Sequence, residues 1–162
     1  HLPALRVVNT RFKNFDEDRF ERDMSVQIRS AVKLCKTFLP AMAKARQGRV
    51  LFMLTSYLLG APPKNTAAYL MVKSTLQGLA KSLAADYASF GVTVNCVMPS
   101  MMETKFLADT SDLIVQASAE ANPMKRNARV EDVVPAMTFL LSEEAGFITG
   151  VTLPVTGGSA FL

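Results

Sequence analysis

An α/β fold built on a parallel sheet is predicted for this chain by three observations. Stretches with apolar residues at helical spacing alternate with short apolar runs, in the order helix, strand, helix, strand, helix, strand. The run 50–54 is continuously apolar and of strand length, the pattern of a strand covered on both faces in a parallel sheet, and 92–98 is the next strand. The connections are short, so the strands are joined by helical crossovers.

Taken in order, Asp16 precedes a stretch in which Phe20, Met24, Ala31, Leu34, Cys35, Phe38 and Met42 recur at roughly helical spacing. This predicts one long helix, bent at Pro40 and stopped by Gly48. The strand 50–54 follows, and Pro62, Pro63, Lys64 and Asn65 form a loop. A second long helix is expected from 66 to 90, with Gly91 as its stop. Strand 92–98 ends at Pro99. The segment 105–122 is polar and rich in small residues, and short helices are expected there. A helix over 130–141 leads through Gly146 and Gly150 to a last strand, 151–155. No internal repeat is present.

The 162 residues fit a single domain, 1–162, since 49% apolar residues fill one core and 20% charged residues solvate it. No apolar run approaches the roughly 18 residues of a membrane span, and neither a leader nor a membrane partner is expected. A cytoplasmic location follows from that. The net charge of +4 is spread rather than clustered, which argues against a nucleic-acid partner. Cys35 and Cys96 stand in apolar settings without metal-ligand spacing, so both read as reduced core residues and no metal is expected. The first residue is His1 and not methionine, which suggests that sequence upstream has been removed or left out.

The chemistry-bearing feature is Tyr69 and Lys73, four apart on the second long helix, with Ser56 thirteen residues before the tyrosine at a strand end. That spacing puts phenol and ammonium on one helix face, where the charge is expected to lower the phenol's pKa and make it a proton donor. Alone, the pair reads equally as an ordinary helix-surface contact. The flanks add to it: Gly48-Arg49-Val50-Leu51-Phe52-Met53-Leu54-Thr55-Ser56 before, and Asn95-Cys96-Val97-Met98-Pro99-Ser100-Met101-Met102-Glu103-Thr104 after. Further on come Asn122-Pro123-Met124-Lys125-Arg126, then Glu131-Asp132-Val133, Ile148-Thr149-Gly150 and Leu153-Pro154-Val155-Thr156-Gly157-Gly158.

In order and spacing these motifs resemble the second half of the short-chain dehydrogenase/reductase family, and most of all its 3-oxoacyl-carrier-protein reductase type. The resemblance runs from about Phe15 to Gly158. It implies a Rossmann-type doubly wound parallel sheet, N-terminally incomplete, with long helices flanking the family's strands 5 to 7. It also implies hydride transfer between a nicotinamide (NADP ahead of NAD) and a ketone or secondary alcohol. The substrate would be a small molecule or an acyl-carrier-linked ketone such as a 3-oxoacyl thioester.

By this resemblance Tyr69 is the general acid, Lys73 the cation that also holds the nicotinamide ribose, and Ser56 the hydroxyl on the carbonyl oxygen. Pro99, Ser100, Met102 and Thr104 would receive the carboxamide, with Ser100 in place of the family's glycine. Thr104 reads alternatively as the N-cap of a following short helix. Gln27, in Val26-Gln27-Ile28, stands where the family carries the asparagine of its proton relay. Thr156 replaces an aspartate. Met101 and Phe106, with Leu107, Ile114 and Val115, bracket the family's substrate lid and suit an apolar or acyl substrate.

The eight glycines, at 48, 60, 78, 91, 146, 150, 157 and 158, make no glycine-rich turn for a pyrophosphate. The dinucleotide-binding part is therefore expected outside this sequence, and what is here reads as the catalytic and subunit-contact part. A homodimer or homotetramer through the long helices is implied, since a sheet cut before the family's fifth strand leaves an open edge. Two alternatives stand beside this one. A non-catalytic truncated relative would serve as an oligomerisation or partner module. A polyketide-type ketoreductase part would need docking segments, and none is visible.

Overall fold

In a computed structural model the chain folds as three parallel strands between two helical layers; the structure describes residues 1–104, 107 and 110–161. Asp16 starts the first helix by accepting from the Arg19 backbone N–H at 2.8 Å, the side-chain cap that a helix start favours. Helix α1 (Glu17–Met24) passes through a π-helical turn, Ser25–Arg29, into α2 (Ser30–Ala45). The departure from α geometry lies at that turn and not at Pro40, which sits inside an unbroken α2. A π turn inserts a whole residue into the helical repeat, whereas Pro40 leaves the residue count of α2 unchanged.

Strand β1 (Gly48–Met53) is followed by the 3₁₀ turn Ser56–Leu58, and then α3 (Ala67–Tyr87) extends through a 3₁₀ turn, Ala88–Phe90. Strand β2 (Val92–Pro99) is buried along its whole length. Helix α4 (Asp112–Ala121) is the one described helix of the 105–122 segment, α5 (Val130–Leu141) follows, and β3 (Thr152–Val155) closes the sheet. The order is β1-β2-β3, with Gly48 opposite Val92 and Cys96 opposite Thr152.

The two sides of the sheet carry separate cores, which explains the continuous apolar runs. Phe52, Val94, Cys96 and Met98 meet Ala31, Leu39, Val72, Leu76 and Ala80 of α2 and α3. Leu51 and Val97 meet Val133 and Leu140 of α5. Both faces of β1 are covered at its centre, while Val50 and Met53 toward its ends are half-buried. On the outer edge of β1 the His1 nitrogen donates to the Leu51 carbonyl at 2.7 Å, and the Met53 N–H donates to the His1 carbonyl at 3.3 Å.

Two motifs of the sequence have structural reasons. Asn95 donates to the Ile148 carbonyl at 2.8 Å and accepts from the Val151 N–H at 3.1 Å, tying β2 to the chain entering β3. Asn122 donates to the Thr156 carbonyl at 2.9 Å and packs on Gly157.

Gly91, which ends the second long helix, has φ 72°, and a Cβ there would lie 2.4 Å from the Arg46 carbonyl oxygen. Gly91→Ala is expected to destabilise the fold by about 1–3 kcal/mol, read from urea unfolding midpoints. An unchanged midpoint would remove this account of the turn.

Candidate active site

The carboxyl ends of β1 and β2 open into a cleft of ≈ 310 Å³. Ligands in open α/β sheets bind at that end of the strands. Each element delivers one part of the wall. Thr55 and Tyr57 come from the turn after β1, Tyr69 and Lys73 from the first two turns of α3, and Pro99, Ser100, Met101, Met102 and Thr104 from the loop after β2.

That loop is fixed from below. Ser100 N–H donates to the Val155 carbonyl at 3.2 Å, and Glu103 N–H and Ala128 N–H bond to Ala128 O and Met101 O, each at 3.0 Å. Ser100 has no positive φ, so the serine at the glycine position is accommodated without strain. Its hydroxyl oxygen is buried and has no partner among the described residues.

Lys73 is only 3% exposed and donates to the Met53 carbonyl at 3.0 Å, with its ammonium 5.7 Å from the centroid of the Tyr69 ring. Burial lowers its pKa to about 8, and the Asp23 carboxylate acts in the opposite sense. Tyr69 moves against the expectation of a lowered phenol: burial pushes it up to about 12. A hydrogen bond with the Thr55 side chain opposes that rise, while Tyr57 and Asp23 add to it. The physical reason is desolvation of the phenolate: the ammonium stands over the ring face, bonded to a carbonyl, and does not offset it.

The structure brings Tyr69, Lys73, Pro99, Ser100, Met101, Met102 and Thr104 to one cleft. Ser56 opens the 3₁₀ turn, is buried, and does not line the cleft; its neighbour Thr55 does. Gln27 is fully buried in the π turn, away from the cleft wall. Phe106 lies outside the described residues.

Three contributions escaped sequence reasoning. Thr55 meets the phenol, and Tyr57 stands edge-on to Tyr69, with ring centroids 6.3 Å apart at 81°. The stretch holding Leu2, Ala4, Val7 and Asn9 completes the apolar rim beside Leu107 and Ile114. The adjacent hydroxyl and phenol around Ser56 were the only sequence signal for the first two.

The arrangement fits the nicotinamide end of a dinucleotide. Lys73 and the Pro99–Ser100–Met102–Thr104 backbone turn are within one cleft, and the orphaned Ser100 hydroxyl offers a further polar contact. Among the described residues no group of three or more His, Cys, Asp or Glu could hold a metal ion, and no helix is long and apolar enough to cross a membrane.

A family model described as Enoyl-(Acyl carrier protein) reductase matches residues 3–160. The 3-oxoacyl-(acyl-carrier-protein) reductase FabG of Buchnera aphidicola is 35% identical over 145 residues, covering 90% of this chain and 59% of that protein. Dehydrogenase/reductase SDR family member 4 of Sus scrofa is 32% identical, covering 98% of this chain and 58% of that protein. The chain therefore spans somewhat over half the length of these relatives. Among solved structures, one from Beutenbergia cavernae, provisionally assigned as an NAD(P)-dependent gluconate 5-dehydrogenase with NADP bound at low occupancy, superposes with a TM-score of 0.90 at 26% identity. That match covers 98% of this chain and 64% of the solved one.

Proposed function

The chain belongs to the short-chain dehydrogenase/reductase family, and from that membership we propose that it supplies the catalytic part of an NAD(P)-dependent oxidoreductase acting on a ketone or the matching secondary alcohol. The observation that carries this reading is one cleft walled by Tyr69, Lys73 and the Pro99–Thr104 turn, at the strand ends.

A nicotinamide, when bound, supplies or accepts the hydride. In reduction the Tyr69 hydroxyl donates its proton to the carbonyl oxygen, and with a pKa near 12 the phenol is fully protonated at neutral pH, the state an acid needs. The phenolate that results is stabilised by the Lys73 ammonium. Thr55, which stands on the cleft wall where Ser56 does not, is the hydroxyl available to orient the carbonyl oxygen. Pro99, Ser100, Met102 and Thr104 would hold the carboxamide, NADP being preferred to NAD. Met101 and the rim residues Leu107 and Ile114 suit an acyl chain, so a 3-oxoacyl thioester is the first substrate to try. Val32, Leu34 and Phe38 are exposed on α2, and they are the residues through which a homodimer or homotetramer would form.

The test is the loss of reduced-nicotinamide absorbance when the complete protein containing this chain meets NADPH or NADH and 3-oxoacyl thioesters of graded length. Saturable, ketone-dependent oxidation is expected. Cofactor binding with no turnover on any ketone would leave the second reading, a non-catalytic partner module, which the same exposed apolar residues of α2 favour.

A further inference from the structure

Behind the Tyr69/Lys73 pair lies a polar group that the catalytic reading leaves unused. Asp23, on α1, lines a second, small cavity together with Tyr69, so the tyrosine separates this carboxylate from the substrate cleft. The carboxylate is held in place: the Gln27 amide nitrogen donates to Asp23 Oδ1 at 2.6 Å. Gln27 is itself fully buried, and its oxygen has no partner among the described residues, so a desolvated amide is committed to holding this one carboxylate. The π turn that carries Gln27 packs against α3, the helix of Tyr69 and Lys73. Lys73, on the facing side, is a buried cation whose described hydrogen bond goes to a neutral carbonyl. A buried ammonium without a counter-charge loses its proton readily, and a carboxylate fixed nearby counters that loss.

We propose that Asp23 is a positioning residue of this site: held by Gln27, its carboxylate keeps the buried Lys73 ammonium charged and so sets the pH range over which the Tyr69/Lys73 pair works. The electrostatics agree, because Asp23 raises the pKa of both Lys73 and Tyr69. The other ionisable groups around the pair are Tyr57, on the turn after β1, and Arg6, Asp16 and Arg19, which border the small cavity. Arg19 is directed elsewhere, donating to the Arg6 carbonyl at 2.7 Å, and Asp16 caps α1. Of these groups, Asp23 is the one that both borders Tyr69 and is held by a fully buried amide on the turn packed against α3. The inference gives Gln27 a role of its own, as the holder of a carboxylate one turn earlier on the same helix.

The inference rests on the reading of Tyr69 and Lys73 as the acid pair, and its test does not need turnover. In the complete protein with ¹⁵N-labelled lysine, the Lys73 amine is titrated by NMR and assigned with Lys73→Arg. Asp23→Asn is expected to lower its midpoint by about one pH unit, and Asp23→Glu to hold it near the wild-type value. The alkaline limb of the turnover profile should move to lower pH by the same amount as the midpoint. Where Asp23→Asn does not fold, Asp23→Ser removes the charge while leaving an acceptor for Gln27. A midpoint unchanged in a folded, neutral variant overturns the inference. Near-normal turnover of Tyr69→Phe would instead overturn the reading beneath it, and the two failures are separately visible.

Discussion

Tyr69→Phe, made in the complete protein, is expected to lower kcat by about 10²–10⁴ while nicotinamide nucleotide binding persists. The substitution removes one oxygen from a ring already packed edge-on against Tyr57, so the cleft keeps its shape. What disappears is the phenol proton that the cleft presents beside a buried cation. Removing one hydroxyl should cost about 1 kcal/mol of stability at most, too little to unfold a domain of this size. Single-turnover kinetics and a binding isotherm check the two halves. Turnover within a few fold of wild type would sink the assignment of the acid.

Lys73→Met is expected to abolish turnover and, at the same time, to remove the rise in stability that the lysine contributes between about pH 8 and 10.5. The folded-state pKa of Lys73 is about 8, below its ordinary 10.5, so between those values the unfolded chain holds a proton that the folded chain has released. Stability therefore rises with pH through this window, and the burial penalty is felt in full only below pH 8. For a group 3% exposed, the 2.5-unit difference corresponds to about 3 kcal/mol at most.

Other groups work the other way. Burial raises the Cys96 thiol to about 11 and the Tyr69 phenol to about 12, and it also raises the Cys35 thiol and the Tyr57 phenol, so each draws stability down as the pH climbs through its shifted range. The raw profile mixes all of them. The difference between wild type and Lys73→Met, taken from urea unfolding at stepped pH, isolates the lysine. A difference that does not change between pH 8 and 10.5 would mean that Lys73 is not the buried, weakly compensated cation described above.

Much of the architecture was legible because it rests on local rules. Asp16 caps a helix because its side chain reaches a backbone N–H three residues on, and Gly91 stops one because only glycine takes its φ without cost. The run 50–54 was recognisable as a covered strand because helices pack on both its sides, against Phe52 on one and Leu51 on the other. The π turn at Ser25–Arg29 in the first long helix was not foreseen, since such a turn has no residue signature comparable to proline's.

At the site, the sequence by itself determined which chemical groups are available and which of them share an element. The four-residue step from Tyr69 to Lys73 and the loop after Pro99 are properties of a helix and of a strand end, and both were readable as spacing. The tertiary structure alone decided what those groups experience. It put Thr55 rather than Ser56 on the cleft wall, set Asp23 behind Tyr69, and buried the phenol until desolvation outweighed the neighbouring charge. Spacing is a one-dimensional property and survives in the sequence. Burial and field are sums over everything packed nearby, and no single residue carries them.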